Sequence, residues 1–175
     1  QVPEPTDNES DLSHQHPVIQ SQREQFGSKP LPSPAVRRRV TAAYYGMVTH
    51  LDRQVGQVLH ALEDAGMLEN TIVVYTSDHG EQLGEHGCWW KSTFYEGAVG
   101  VPLIVARPGD SASVSTANVG LMDIGQSLVD LAGLDSIPGA TGRSFRALLD
   151  GDSSDWNDEV FSENVGKPSN FGPWR

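Results

Sequence analysis

Cysteine is almost absent from this chain. Cys88 is the only one in 175 residues, so no disulfide can close within the chain and no cysteine-based zinc site can form. That usage fits a reducing compartment. No apolar run approaches the roughly 18 residues of a membrane-spanning helix. The N-terminus lacks the basic-then-apolar pattern of a secretory signal, and the compartment stays open between the cytoplasm and export. Positive charge is also scarce: 12 Lys and Arg stand against 23 Asp and Glu, a net charge of −11. Such a chain is a poor general binder of nucleic acid or of anionic membranes. An anionic small molecule remains admissible if a metal, Lys or Arg supplies local positive charge.

What is present reads as a globular chain rich in turns, with 18 Gly and 11 Pro, of a length that suits one domain. Residues 1–34 are polar and carry six prolines, Pro3, Pro5, Pro17, Pro30, Pro32 and Pro34, which reads as an irregular arm. From Ala35 to Ala65, Val36, Val40, Tyr44, Met47, Val48, Leu51, Val55, Val58, Leu59 and Leu62 recur at helical steps. Gly66 supplies the stop. Gly46 and Gly56 interrupt that helix, as positions of close packing would. Thr71 to Thr76 and Val101 to Ala106 read as buried strands, and Glu159 to Ser162 as a third. Asp123 to Leu131 predicts a helix with Gly133 just past its end, and Ser144 to Leu149 a shorter one. The sum is an α/β fold with a largely parallel sheet and flanking helices. The chain stops at Gly172-Pro-Trp-Arg175 with no closing element, which reads as a truncated domain over residues 35–175.

The chemistry concentrates between the first two strands. Ile72-Val-Val-Tyr-Thr-Ser-Asp-His-Gly80 is an apolar run that ends abruptly in Asp78-His79-Gly80. In open α/β sheets ligands bind beyond the carboxyl ends of strands. A turn at Gly80 lets Asp78 and His79 converge on one ion, and a carboxylate with an imidazole suits Ca, Mg, Mn or Zn. Taken alone, the dipeptide reads more simply as a turn-capping Asp beside a packed His. His86, in Glu85-His86-Gly87, either orients a ligand or substrate or pairs with a neighbouring carboxylate. Lys91 is either a surface lysine or a partner for a sulfate or phosphate oxygen. Its place in the same Gly-rich loop as the Asp-His pair favours the second. Cys88 suits a small buried hydrophobe, and Trp89, Trp90, Phe94 and Tyr95 are expected to pack the loop onto the sheet.

Taken together, these segments resemble a sulfatase of the alkaline phosphatase superfamily. The resemblance runs through Tyr44-Tyr-Gly-Met-Val-Thr-His-Leu-Asp-Arg-Gln-Val-Gly56, Asn70 to Gly80, Leu83-Gly-Glu-His-Gly87, Lys91, Tyr95-Glu-Gly97 and Val101-Pro-Leu-Ile-Val105. It is weaker at Asp123 to Leu131, at Thr141-Gly-Arg-Ser-Phe-Arg-Ala-Leu-Leu149 and at the closing Pro173-Trp-Arg175. It implies a partial alkaline-phosphatase-like domain whose C-terminal subdomain is missing. It further implies a formylglycine nucleophile, matured from a Cys/Ser-x-Pro-x-Arg motif, that attacks the sulfur of a small-molecule sulfate ester. Asp78 and His79 match the late pair of metal ligands, the ion commonly being calcium, with Mn and Mg as alternatives. Lys91 matches the lysine that contacts sulfate and leaving oxygen. Neither the nucleophile motif nor the family's early aspartate pair occurs in these residues. The expectation is therefore half of a site, inactive alone and binding metal weakly through two ligands. Phosphonate monoester hydrolases and phosphodiesterases share the pattern, and a non-catalytic remnant is the alternative from another class.

Overall fold

The computed structural model describes residues 17, 20, 21 and 33–163. Of the expected arm, Pro17, Gln20 and Ser21 have helical backbone, and the remainder before Ser33 lies outside the described residues. So does the expected open end at Gly172 to Arg175. The chain divides into two compact units, Gln1–Asp110 and Ser111–Arg175.

In the first unit, α1 spans Pro34–Asp64, β1 Val73–Thr76, α2 Glu96–Val99 and β2 Leu103–Ala106. Pro34 opens α1 at its first turn, where a missing backbone N–H costs nothing. The exit is a Schellman turn: Gly66 takes a φ of 66°, its N–H bonds to the Glu63 carbonyl, and the Met67 N–H bonds to that of Leu62. Close packing at the glycines inside α1 is not seen among the described residues: nothing in them lies within 4 Å of a side-chain position at Gly46 or Gly56.

The two described strands pair antiparallel, with Val73 opposite Ala106 and Thr76 opposite Leu103. This differs from the parallel arrangement expected. A parallel pair needs a crossover that carries the chain back along the sheet. Here residues 77–102 form a loop, one 3-10 turn and the four-residue α2, and return the chain at the end where it left. Neither strand is buried on both faces: β1 is half-buried throughout and β2 alternates, leaving Ile104 60% exposed. The third expected strand, Glu159 to Ser162, has no strand pairing, and Val160 and Phe161 are exposed.

In the second unit, α3 spans Leu121–Leu131 and α4 Arg146–Leu149. α3 ends in the same device as α1, with Gly133 at φ 70° and the Leu134 N–H on the Val129 carbonyl. Asp123 is buried and joins α3 to the segment ahead of α4. Its carboxylate accepts from the Gly120 amide at 2.9 Å and the Arg143 amide at 2.8 Å. Ser127, fully buried, donates to the Asp123 carbonyl and accepts from the Phe145 amide. A side chain at Gly142 would overlap the Met122 carbonyl, so glycine is required there. Arg143 stacks over Trp156 at 4.3 Å. Farther along, the amide and hydroxyl of Ser154 hold the Asp152 carboxyl below the usual carboxylate range.

Candidate active-site loop

Beyond β1 the chain folds into a loop whose backbone is bonded to itself. The Gly80 amide donates to the Ala98 carbonyl at 2.8 Å, and Gln82 N–H to the Trp90 carbonyl at 3.0 Å. A side chain at Gly80 would overlap the Gly97 carbonyl oxygen, so only glycine lets the exit of β1 pass this close to α2. The Glu81 carboxylate gathers two amides, Leu83 at 3.1 Å and Trp90 at 2.7 Å. Gln82 is buried and donates to the Thr93 hydroxyl at 2.7 Å. Three non-glycine residues, Leu83, His86 and Trp90, hold φ between 51° and 69°. Such backbone is costly, and loops that keep it are commonly functional.

Asp78, His79 and Lys91 meet on this frame. His79 Nδ1 lies 2.8 Å from the Gly80 carbonyl oxygen. A carbonyl only accepts, so this hydrogen bond puts the proton on Nδ1 and leaves the lone pair of the neutral ring on Nε2. Two groups face that lone pair. Lys91 Nζ, a donor only, is 2.5 Å away, and Asp78 Oδ2 is 3.5 Å away. The Asp78 side chain is 83% exposed and its other oxygen accepts from the His79 amide at 3.1 Å. An ionised carboxylate oxygen and an imidazole lone pair cannot hydrogen-bond to each other. At this separation both suit a single cation, since ligands of one divalent ion at about 2.0–2.6 Å sit roughly 3 Å apart.

The chemistry of the donor set therefore fits two ligands of a divalent metal. A ligating imidazole characteristically ties its other nitrogen to a carbonyl or carboxylate, as His79 ties Nδ1 to Gly80. Among the described residues no group of three or more His, Cys, Asp or Glu is placed to hold a metal.

The remaining candidates are placed as follows. His86 stacks on Tyr95, ring centroids 4.0 Å apart and 13° from coplanar. Cys88 is fully buried, as a small hydrophobe would be. Trp90 does not pack the loop: it is 72% exposed, and Phe94 is also exposed. The reason lies in the backbone, because the Trp90 amide and carbonyl are held inward by Glu81 and Gln82, which turns the side chain out. Glu81, Gln82 and Thr93 went unnoticed in the sequence. Their signal was indirect: a loop with this many left-handed residues loses its regular backbone partners and needs side-chain acceptors. A cavity of about 580 Å³ lies away from this chemistry, between Val48, Val55 and Leu59 of α1 and Val73, Tyr75 and Ile104 of the sheet. Its lining is mainly apolar, and the Asp78–Lys91 loop contributes nothing to it.

A family model described as Sulfatase matches residues 4–134. The chain is 36% identical over 139 residues to an arylsulfatase of Clostridium perfringens, a match covering 76% of this chain and 29% of that protein. It is 38% identical over 97 residues to a choline-sulfatase of Rhizobium meliloti, covering 55% of this chain and 19% of that one. Among solved structures, the phosphonate monoester hydrolase SpPMH from Silicibacter pomeroyi superposes with a TM-score of 0.78 at 29% identity, over 90% of this chain and 33% of that chain. The chain thus spans less than a third of the length of either curated relative.

Proposed function

The chain belongs to the sulfatase family, and from that membership we propose that it supplies the metal-ligating and anion-binding half of a sulfuric ester hydrolase site. The observation that carries this reading is the convergence of Asp78 Oδ2 and Lys91 Nζ on the lone pair of His79 Nε2. Asp78 and His79 would hold a divalent ion, calcium being the first choice and Mn or Mg the others. Such an ion, when bound, draws electron density from the oxygens of the ester and raises its susceptibility to attack. Lys91 places an ammonium on an exposed stem, within reach of a sulfate oxygen or of the departing alkoxide. There it stabilises negative charge that grows as the ester bond breaks. His86, whose ring is stacked on Tyr95, would serve as a positioning group. The nucleophile is not among these residues, because no Cys/Ser-x-Pro-x-Arg motif occurs in them.

Hydrolysis of a phosphonate monoester is the second reading, favoured by the similarity to SpPMH. The two readings separate in one assay. The 175-residue chain, and a form extended by a segment that carries a formylglycine nucleophile, are each given 4-nitrophenyl sulfate and phenyl phosphonate monoester. We expect no turnover from the chain alone and faster sulfate than phosphonate turnover from the extended form. Lys91→Ala in that form should lower kcat about 10²–10³-fold, the usual effect of losing one transition-state donor. Normal turnover by the chain alone, or a preference for the phosphonate, would overturn the sulfatase reading.

A further inference from the structure

His79 Nε2 has one lone pair, and in this structure the Lys91 ammonium lies on it at 2.5 Å. The opposite nitrogen is tied to the Gly80 carbonyl at 2.8 Å, so the ring cannot offer a second lone pair without breaking that bond. A metal ion taking Nε2 must use the orbital that Lys91 now faces. The separation of Nζ from Nε2 is also close to a metal–nitrogen bond length, which is about 2.0–2.1 Å for zinc. The ammonium thus stands near where the ion would stand, and one position cannot hold both. Lys91 can leave: it is exposed, its stem is unbranched, and Asp78 is not its hydrogen-bond partner but that of the His79 amide.

We propose that Lys91 and the divalent ion are alternative occupants of His79 Nε2, so that metal loading releases the lysine toward the anionic group of the ester. The inference rests on the metal-ligand reading of Asp78 and His79. It adds that the anion-binding lysine is parked while the metal is absent and becomes available only as the metal arrives. Lys91 then acts as an internal competitor that weakens metal binding, over and above its charge. No bond is made or broken covalently; one hydrogen bond is exchanged for one coordinate bond.

The test uses the 175-residue chain at fixed pH, with Mn²⁺ as the probe and free Mn²⁺ followed by electron paramagnetic resonance. Lys91→Met removes the ammonium and keeps the stem. Its dissociation constant for Mn²⁺ should be about five- to tenfold lower than wild type, the effect of freeing one exposed hydrogen-bond acceptor. The gain should persist in 1 M NaCl, where the screening length is about 3 Å and mere charge repulsion is largely removed. It should vanish when His79→Ala is added. Without metal, ¹⁵N-histidine spectra should show the His79 proton on Nδ1, and Lys91→Met should shift the Nε2 resonance. Unchanged or weaker Mn²⁺ binding in Lys91→Met, a gain abolished by salt, or a proton on Nε2 would each overturn the proposal. If no variant shows Mn²⁺ binding that depends on His79, the metal reading itself fails, and this inference with it. His79-dependent binding that ignores Lys91 defeats this inference alone.

Discussion

Single atoms decide most of what this loop can do. The proton on His79 Nδ1 is placed by one carbonyl, and that placement leaves the ring's lone pair on Nε2, as a ligating histidine would require. Gly80 makes the placement possible, since any side chain there collides with the Gly97 carbonyl. Gly80→Ala should therefore destabilise the first unit by about 3 kcal/mol or more, the cost of forcing backbone apart and losing the Gly80–Ala98 hydrogen bond. The matched control is Gly56→Ala, which meets open space inside α1 and should stabilise by about 0.5–1 kcal/mol through helix propensity. Urea midpoints measured on both variants check this; similar midpoints for the two would refute the close-approach account. The sequence offers Asp78, His79 and Lys91 as candidates chiefly through the family resemblance, since the Asp-His dipeptide alone reads more simply as a turn; the structure brings the three side chains together. Glu81 and Gln82 were not legible, because their roles follow from left-handed backbone at Leu83, His86 and Trp90, which residue names do not announce.

At the scale of elements, the same lesson has a different cause. Helices α1 and α3 were readable to within a residue or two, because an apolar period and a terminal glycine act locally, and both exits are Schellman turns at the expected Gly66 and Gly133. Strand direction was not readable, because it depends on how residues 77–102 return the chain, and a polar, Gly-rich loop carries no period to interpret. The weaker motif Thr141-Gly-Arg-Ser-Phe-Arg proves to be a clasp around α3. Gly142 passes the Met122 carbonyl, Ser144 bonds to the Asp130 carboxylate and the Phe145 amide to Ser127. Asp123 is its hub. Asp123→Ala leaves the buried-side amides of Gly120 and Arg143 without their acceptor and should cost the second unit about 1–3 kcal/mol. Amide hydrogen exchange at Gly120, Arg143 and Phe145 should accelerate in that variant while exchange in α1 stays unchanged. Protection that persists at Arg143 would remove Asp123 from this role.

For the molecule as a whole, the surface is as telling as the site. Residues that a folded domain normally covers stand open on α1, with Met47 63% and Val58 61% exposed, and on the sheet at Ile104. The described residues contain no helix long and apolar enough to cross a membrane, so a bilayer-spanning helix does not account for that face. The chain spans less than a third of the length of either curated relative, and an exposed apolar face of this kind is one that proteins commonly use for association. The proposed cation site can nevertheless be tested within these 175 residues, because both of its proposed ligands, Asp78 and His79, lie in them. The most direct test is calorimetric titration of Ca²⁺ into the chain and into its Asp78→Ala/His79→Ala variant. The account predicts weak, saturable binding with a Kd on the order of 10⁻³ M, as a two-ligand site allows, and its loss in the double variant. Indistinguishable titrations of the two proteins would contradict it.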